Sequence, residues 1–196
     1  MTTQNQNKDT GSTKFILTLT FKLFLISTVT ALLLAGVNAL TVDRIAANIA
    51  AEKAAAIKEI FPAATLNEPV TDVAVEGVNE LYLVFADDTM LGYAAGVAPL
   101  GFGGEMEMMV GVNADGTLAG IKLIAHSETP GLGSRAGEDW YLSGYVGQTA
   151  ASLPEVDTIT GATFSSGGIR TGAGLALDAY SSIYPASDVI AGGGAK

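Results

Sequence analysis

Residues 157–168 bring together the side chains with the clearest potential for chemistry. The stretch contains five hydroxyl residues and three glycines. The apolar residues that follow it recur at helical spacing, at Ile169, Ala173, Ala176, Tyr180 and Ile183. The hydroxyl cluster is therefore predicted to lie just ahead of a helix N-terminus, where free N–H groups and the positive dipole end favour a phosphate. The alternative is a loop whose hydroxyl groups only cap the next helix.

Composition excludes several classes of site. The 196 residues include no cysteine, which rules out disulfides, thiolate metal sites, iron–sulfur ligation and cysteine nucleophiles. A single histidine, His126, excludes a His-rich metal cage, and no Ser/His/Asp arrangement for a hydrolase is visible. The formal charge is −10, and the acidic excess lies in residues 41–196, so nucleic acid is not an expected partner. No catalytic residue and no metal ligand is predicted.

A second informative stretch runs from His126 to Gly133, where a proline and two glycines break a predicted strand. Residues 131–136 also match the pattern G-x-G-x-x-A of dinucleotide-binding folds. That motif requires a strand leading into the first glycine and a crossover helix after it. Pro130 interrupts the approach, and no helix with a parallel strand follows, so a Rossmann site is rejected. Considered alone, His126 is a histidine that caps or braces the loop.

Together the two stretches resemble the signatures of one family. The pattern Asp-x-x-Thr-Gly-Ala-Thr at 157–163 is similar to the flavinylation motif of an FMN-binding domain found in two respiratory complexes. That domain occurs in the G subunit of Rnf-type electron-transport complexes and in the C subunit of the sodium-pumping NADH:quinone reductase. The pattern His-x-Glu-Thr-Pro-Gly-Leu-Gly at 126–133 resembles the segment beside the flavin ring in that family.

The resemblance also implies the residues that hold the cofactor. It implies that Thr163 forms an ester with the FMN phosphate. The other cofactor-binding residues that it implies are Asp157, Thr160, Gly161, Ala162, Ser165 and Ser166, with Glu128, Thr129 and Leu132 at the isoalloxazine ring and His126 nearby.

The function implied by the resemblance is electron transfer by one part of a complex rather than catalysis by a free-standing enzyme. The protein would carry covalent FMN within an Rnf complex that couples ferredoxin oxidation and NAD reduction to sodium or proton movement. Its partners would be the other membrane subunits and a separate FMN transferase that uses FAD and magnesium. Two alternatives stay open: the C subunit of the sodium-translocating quinone reductase, and a membrane-anchored exported binding module with no redox role.

The N-terminal region predicts a membrane anchor. Residues 1–14 are polar and are expected to be a disordered cytoplasmic leader. Residues 15–40 are predicted to be a transmembrane helix, because the 18 residues from Leu23 to Leu40 contain no charge. Lys8, Lys14 and Lys22 precede this run, which places the N-terminus in the cytoplasm and the remaining chain on the extracytoplasmic side of the cell membrane. A cleaved signal peptide ending near Ala39 is the competing interpretation.

The remaining chain is expected to have an α+β fold with a mostly antiparallel sheet and packed helices. Residues 41–62 are predicted to be a first helix, either a stalk that continues from the membrane helix or a core helix, which ends at Phe61–Pro62. Residues 63–190 are predicted to be the FMN-binding domain and residues 191–196 a flexible tail. Two hairpins are predicted, one turning at Asp87–Asp88 and one at residues 113–116. Three methionines, at 106, 108 and 109, are expected to pack the sheet rather than contact a cofactor.

Overall fold

The structure is a computed structural model, and it describes residues 9–70 and 75–183. The chain forms two compact units that divide between Ile49 and Ala50. Within the described residues, the first unit consists of helix α1 up to Ile49, and the helix itself runs from Asp9 to Ile60. The helix contains a window that is long and apolar enough to cross a membrane, and none of that window is buried in the protein. A membrane anchor and a signal sequence share this length and composition, so the helix fits both interpretations of the N-terminal segment.

Helix α1 begins earlier than the sequence analysis expects. Its first residue is Asp9, so six residues of the predicted disordered leader, 9–14, belong to the helix. Once a long helix has nucleated, each further residue adds one hydrogen bond at little cost, which explains why polar residues extend an apolar segment. Residues 1–8 and the predicted tail at 191–196 lie outside the described residues.

The second unit is built on a five-stranded antiparallel sheet in the order β1-β2-β3-β4-β5. The strands are β1 (Leu66–Pro69), β2 (Val78–Ala86), β3 (Thr89–Val97), β4 (Glu107–Asn113) and β5 (Leu118–Ala125). Both predicted hairpins are confirmed, because β2 pairs with β3 across Asp87–Asp88 and β4 pairs with β5 across residues 114–117. Gly116 has a φ of 83°, a left-handed conformation that glycine adopts without strain. The expected α+β fold with an antiparallel sheet is what the structure shows.

Two buried clusters cover the two faces of this sheet. One face packs against helix α3 (Thr163–Asp178), with Ile169, Ala173 and Ala176 fully buried. The other face packs against the last turns of α1, through Ala56, Ile57 and the following Phe61. All three of the methionines named above are buried, which confirms their predicted role in packing. The sequence left open whether this helix is a stalk or a core helix, and its last turns contribute to the core.

Most of the chain between β5 and α3 is irregular. It contains short 3-10 turns at Gly133–Gly137, Ser143–Tyr145 and Leu153–Glu155, and one helical turn, α2 (Asp139–Leu142). Helix α3 starts at Thr163 itself, so Thr163, Ser165 and Ser166 lie in its first turn rather than ahead of it. The apolar face predicted to run to Ile183 is divided, because α3 ends at Asp178 and a separate turn, α4, spans Tyr180–Ile183.

Candidate functional site

A cavity of about 290 Å³ lies where the two sequence motifs meet. Its walls come from the loop after β3, the segment after β5, the loop before α3 and the first turn of α3. The lining residues are Phe102, Glu128, Thr129, Leu132, Gly133, Gly161, Ala162, Thr163, Phe164 and Ser165. The fold therefore brings together residues that are more than thirty positions apart in the sequence.

Thr163 occupies an open position at the start of α3. It is exposed, and nothing in the described part of the chain hydrogen-bonds to its hydroxyl group. Ala162 is the N-cap residue, and no side chain caps the helix. The first N–H groups of an α-helix have no partner within the helix, so an uncapped N-terminus offers donors to an anion. Gly161, with a φ of 83°, supplies the left-handed turn that ends the preceding loop.

Glu128 ties three segments of the site together. Its side chain is only 5% exposed. One carboxylate oxygen, Oε2, accepts a hydrogen bond from the Ser165 hydroxyl at 2.6 Å, and the other, Oε1, accepts one from the backbone N–H of Gly103 at 2.9 Å. No lysine or arginine within the described residues forms a salt bridge with it. Its two hydrogen bonds compensate in part for burying a carboxylate.

Glycines make room for this carboxylate. A Cβ atom on Gly101 would lie 2.3 Å from Oε1 of Glu128, and one on Gly133 would lie 2.2 Å from Oε2. A Cβ on Gly103 would lie 2.2 Å from the carbonyl oxygen of Ser127. Each of these contacts is far too short for a real side chain. The glycine-rich loop and the second motif can approach each other this closely because these positions have no Cβ.

The loop before α3 is held in place from the protein interior. The Tyr141 hydroxyl donates to the carbonyl oxygen of Asp157 at 3.0 Å, and the guanidinium of Arg170 donates to the carbonyl oxygen of Val156. The backbone N–H of Ile159 donates to the Ser166 hydroxyl at 3.1 Å. These contacts hold the loop against α2 and α3 through side chains that do not line the cavity.

The predicted site residues separate into those at the cavity and those elsewhere. Asp157 and Thr160 line a neighbouring cavity of about 330 Å³ together with Arg135. Ser166 is buried, and His126 is exposed, its Nδ1 accepting the N–H of Glu128 at 3.2 Å. The contact between His126 and Glu128 braces the loop, which is the role expected for this histidine when the family resemblance is set aside. The other seven predicted residues line the cavity: Thr163, Gly161, Ala162, Ser165, Glu128, Thr129 and Leu132.

Two phenylalanines at the cavity were not singled out by the sequence motifs. Phe102 and Phe164 are each 73% exposed, and their ring centroids lie 6.2 Å apart at an interplanar angle of 56°. Two exposed aromatic side chains in contact with each other at the edge of a cavity provide apolar surface for a flat ligand. The sequence gives one indication for each of these phenylalanines: Phe102 lies inside a glycine-rich loop, and Phe164 directly follows Thr163.

The lining of the cavity is electrostatically unusual for a phosphate site. Among its ten lining residues there is no lysine or arginine, and the one charged side chain is that of Glu128. A phosphate monoester carries about −1.5 to −2 charges near neutral pH and is commonly paired with basic side chains. At this cavity the donors available for a phosphate are backbone N–H groups at the start of α3 and the hydroxyl groups of Thr129 and Thr163.

Comparisons with known proteins agree with the two motifs. A family model described as FMN-binding domain matches residues 101–178, and one described as RnfG N-terminal region matches residues 10–60. The G subunit of the Na(+)-translocating ferredoxin:NAD(+) oxidoreductase complex of Acetobacterium woodii is 28% identical over 194 residues, which cover 87% of this chain and 94% of that protein. The G subunit of an ion-translocating oxidoreductase complex of Cereibacter sphaeroides is 32% identical over 133 residues.

The extent of these matches differs. The Cereibacter alignment covers 64% of this chain and 61% of that protein, so the chain spans about three fifths of this relative's length. A crystal structure of NqrC from Shewanella oneidensis superposes with a TM-score of 0.45 at 18% identity, covering 60% of this chain and 67% of that one.

Proposed function

Because this chain joins an RnfG N-terminal region to an FMN-binding domain, we propose that it is the G subunit of an Rnf-type complex and carries FMN covalently at Thr163. In this proposal α1 anchors the protein in the cell membrane, with the N-terminus in the cytoplasm and the FMN-binding domain on the extracytoplasmic side. The protein accepts electrons from one membrane partner and delivers them to another, within a complex that couples ferredoxin:NAD electron transfer to sodium or proton translocation.

The observation that carries this proposal is the position of Thr163. Its unbonded hydroxyl lies at the first residue of α3 and lines a cavity with Glu128 and Leu132 of the second motif. A ligand attached there has its phosphate beside the uncapped helix N-terminus and its ring within reach of the apolar wall formed by Leu132, Phe102 and Phe164.

The absence of lysine and arginine from the cavity lining supports a covalent bond rather than simple binding. Free FMN would bring a phosphate with close to two negative charges into an acidic domain without a cation to pair with it. An ester to Thr163 leaves only one negative charge, and it needs no ion pair to hold the cofactor. The bound cofactor supplies the redox chemistry, and this chain supplies position, apolar walls and exclusion of water from one side.

Attachment changes few bonds. The Thr163 oxygen forms a bond to the phosphorus of the FMN half of FAD, the pyrophosphate bond breaks, AMP leaves, and the threonine proton passes to solvent. In our proposal a separate FMN transferase performs this step with magnesium, and exposure of Thr163 gives it access.

Asp157 and Thr160 line the neighbouring cavity, so we assign them to presentation of the motif to the transferase rather than to contact with the flavin ring.

Intact mass tests the proposal. The full chain is produced in detergent with and without an FMN transferase, alongside Thr163→Ala, Thr163→Ser and, as a matched control, Thr158→Ala, which removes an exposed hydroxyl that lines only the neighbouring cavity. We expect a mass gain of one FMN less one water in the wild type, the Thr158→Ala variant and a fraction of the Thr163→Ser variant. The Thr163→Ala variant should gain nothing. An unmodified wild type in the presence of an active transferase would favour the binding module instead.

A further inference from the structure

A second cavity adjoins the first at Thr163. It has a volume of about 280 Å³ and is lined by Leu100, Thr163, Phe164, Gly167, Gly168 and Thr171. Thr163 and Phe164 line both cavities, so Thr163 stands in a wall that the two have in common. The second cavity lies along α3 from Thr163 to Thr171 and is the more open of the two to solvent.

Gly167 keeps the second cavity free. A Cβ atom built on Gly167 meets no atom within 4 Å, whereas one built on the adjacent Gly168 would lie 2.3 Å from Cε of Met106. Packing therefore requires glycine at 168 but not at 167. Glycine is among the least favourable residues in a helix interior, so neither helix formation nor packing explains its presence at 167. Its effect in the structure is to leave the space beside Thr163 empty.

The size and walls of the two cavities are similar. Both volumes lie just below the range of about 300–1,000 Å³ for small-molecule sites, enough for a ring system but small for an entire flavin nucleotide. The second cavity has an apolar wall formed by Leu100 and Phe164, which are 72% and 73% exposed. A ligand joined to Thr163 starts from the common wall and can extend into one cavity at a time.

We propose that the ring of a flavin tethered at Thr163 has two resting positions, one in each cavity, with the Phe164 side chain as the partition between them. This inference rests on the covalent attachment proposed above. In the first position the ring lies among Glu128, Leu132 and Phe102, and in the second it lies over Gly167, where solvent and small solutes reach it more readily.

The experiment is time-resolved fluorescence of the flavin in the full FMN-loaded chain, with iodide as a collisional quencher. Intact mass first establishes that each preparation carries one FMN. The wild type should show two decay components that differ in their quenching by iodide. Gly167→Leu, which fills the second cavity, should remove the more strongly quenched component, and Gly167→Ala should reduce it. Gly144→Leu is the matched control, because a Cβ at Gly144 also meets nothing within 4 Å and Gly144 lines neither cavity.

Each result distinguishes two resting positions of the flavin ring from a single position. A single decay component in the loaded wild type would overturn the inference while leaving the attachment intact. So would two components that persist unchanged in Gly167→Leu. Loss of the quenched component in Gly144→Leu as well would show that the effect is not specific to the second cavity, which also overturns it. If the wild type shows no mass gain in the presence of an active transferase, the attachment fails and the inference fails with it.

Discussion

The Ser165 hydroxyl donates a 2.6 Å hydrogen bond to Glu128, across 37 positions of the sequence, and this contact joins the two motifs of the site. Ser165 belongs to the first turn of α3, and Glu128 belongs to the segment that follows β5. Because Glu128 also accepts the N–H of Gly103, one buried carboxylate sets the distances among three segments of the cavity wall.

Replacing Glu128 by alanine should destabilise the protein substantially. The change leaves the hydroxyl of Ser165 and the N–H of Gly103 without their acceptor, and leaving buried polar groups unpaired should cost about 2 kcal/mol or more. Urea unfolding of the full chain in detergent measures this loss. Glu128→Gln is the matched variant: its carbonyl oxygen still accepts from Gly103 and its amide can donate to Ser165, so its loss should be smaller. Equal, small losses in the two variants would contradict the bridging role.

Alanine at Gly133 should be destabilising, whereas alanine at Gly167 should not. A Cβ at Gly133 would lie 2.2 Å from Oε2 of Glu128 and 2.7 Å from Oγ of Ser165, and neither group can move aside without losing their hydrogen bond. We expect a loss of about 1–3 kcal/mol for Gly133→Ala and a gain of about 0.5–1 kcal/mol for Gly167→Ala. Thermal unfolding of the two variants compares them directly, and a reversed order would show that the Glu128 pocket is not tightly packed.

Removal of the Phe102 ring should affect the bound flavin but not the fold. Phe102 is 73% exposed, so Phe102→Ala should change the free energy of unfolding by no more than about 0.5 kcal/mol. Loss of one side of the aromatic pair should expose the ring of covalent FMN, which iodide quenching of its fluorescence measures. Trp140→Ala is the control, since Trp140 is an exposed aromatic residue that lines the neighbouring cavity. A similar increase in both variants would argue against a role for Phe102 at the ring.

The ion pair between Lys53 and Glu80 should add a small pH-dependent term to stability. The Lys53 ammonium bonds Glu80 at 2.7 Å and, more than the Tyr82 hydroxyl, holds the pKa of this carboxyl below its usual value of 4.5. A lowered folded pKa gives stability that is present above the unfolded pKa and is lost as pH falls through the folded pKa. Because both side chains are partly exposed, we expect about 0.5 kcal/mol or less.

Urea unfolding of the wild type and Glu80→Gln tests this term. The wild type should be more stable than the variant at about pH 7, and the difference should shrink by about pH 3. Glu68→Gln is a suitable control, because Glu68 is exposed on β1 and forms no salt bridge within the described residues. A difference that grows on acidification would mean that the sign is wrong.

The sequence was most informative where a pattern is local. The hairpins at Asp87–Asp88 and at residues 113–116 were predictable because turn residues separate two runs of strand-forming residues. The same holds for the apolar character of α1, which depends only on composition along the chain. The grouping of Thr163 with Glu128 and Leu132 was also anticipated, but it came from resemblance to a family, and the structure supplies its geometry.

Features that depend on tertiary contacts were not predictable. The start of α3 at Thr163 follows from the left-handed turn at Gly161 and from the bond between Ser166 and Ile159, neither of which leaves a clear trace in periodicity. The separation of Asp157 from the cavity depends on the contacts of two interior side chains with the loop backbone. The contact between Phe102 and Phe164 joins the loop after β3 to the start of α3, and that loop is also bonded to the buried Glu128 carboxylate through Gly103.

The last turns of α1 determine where a soluble fragment should begin. Ala56, Ile57 and Phe61 are buried on one face of the sheet, and a Cβ on Gly111 would lie 2.4 Å from Ile60. A fragment that starts at residue 63 would lack these side chains and would expose that apolar face to water. Secreted versions for crystallisation or flavin chemistry should therefore start near residue 50, where the second unit begins.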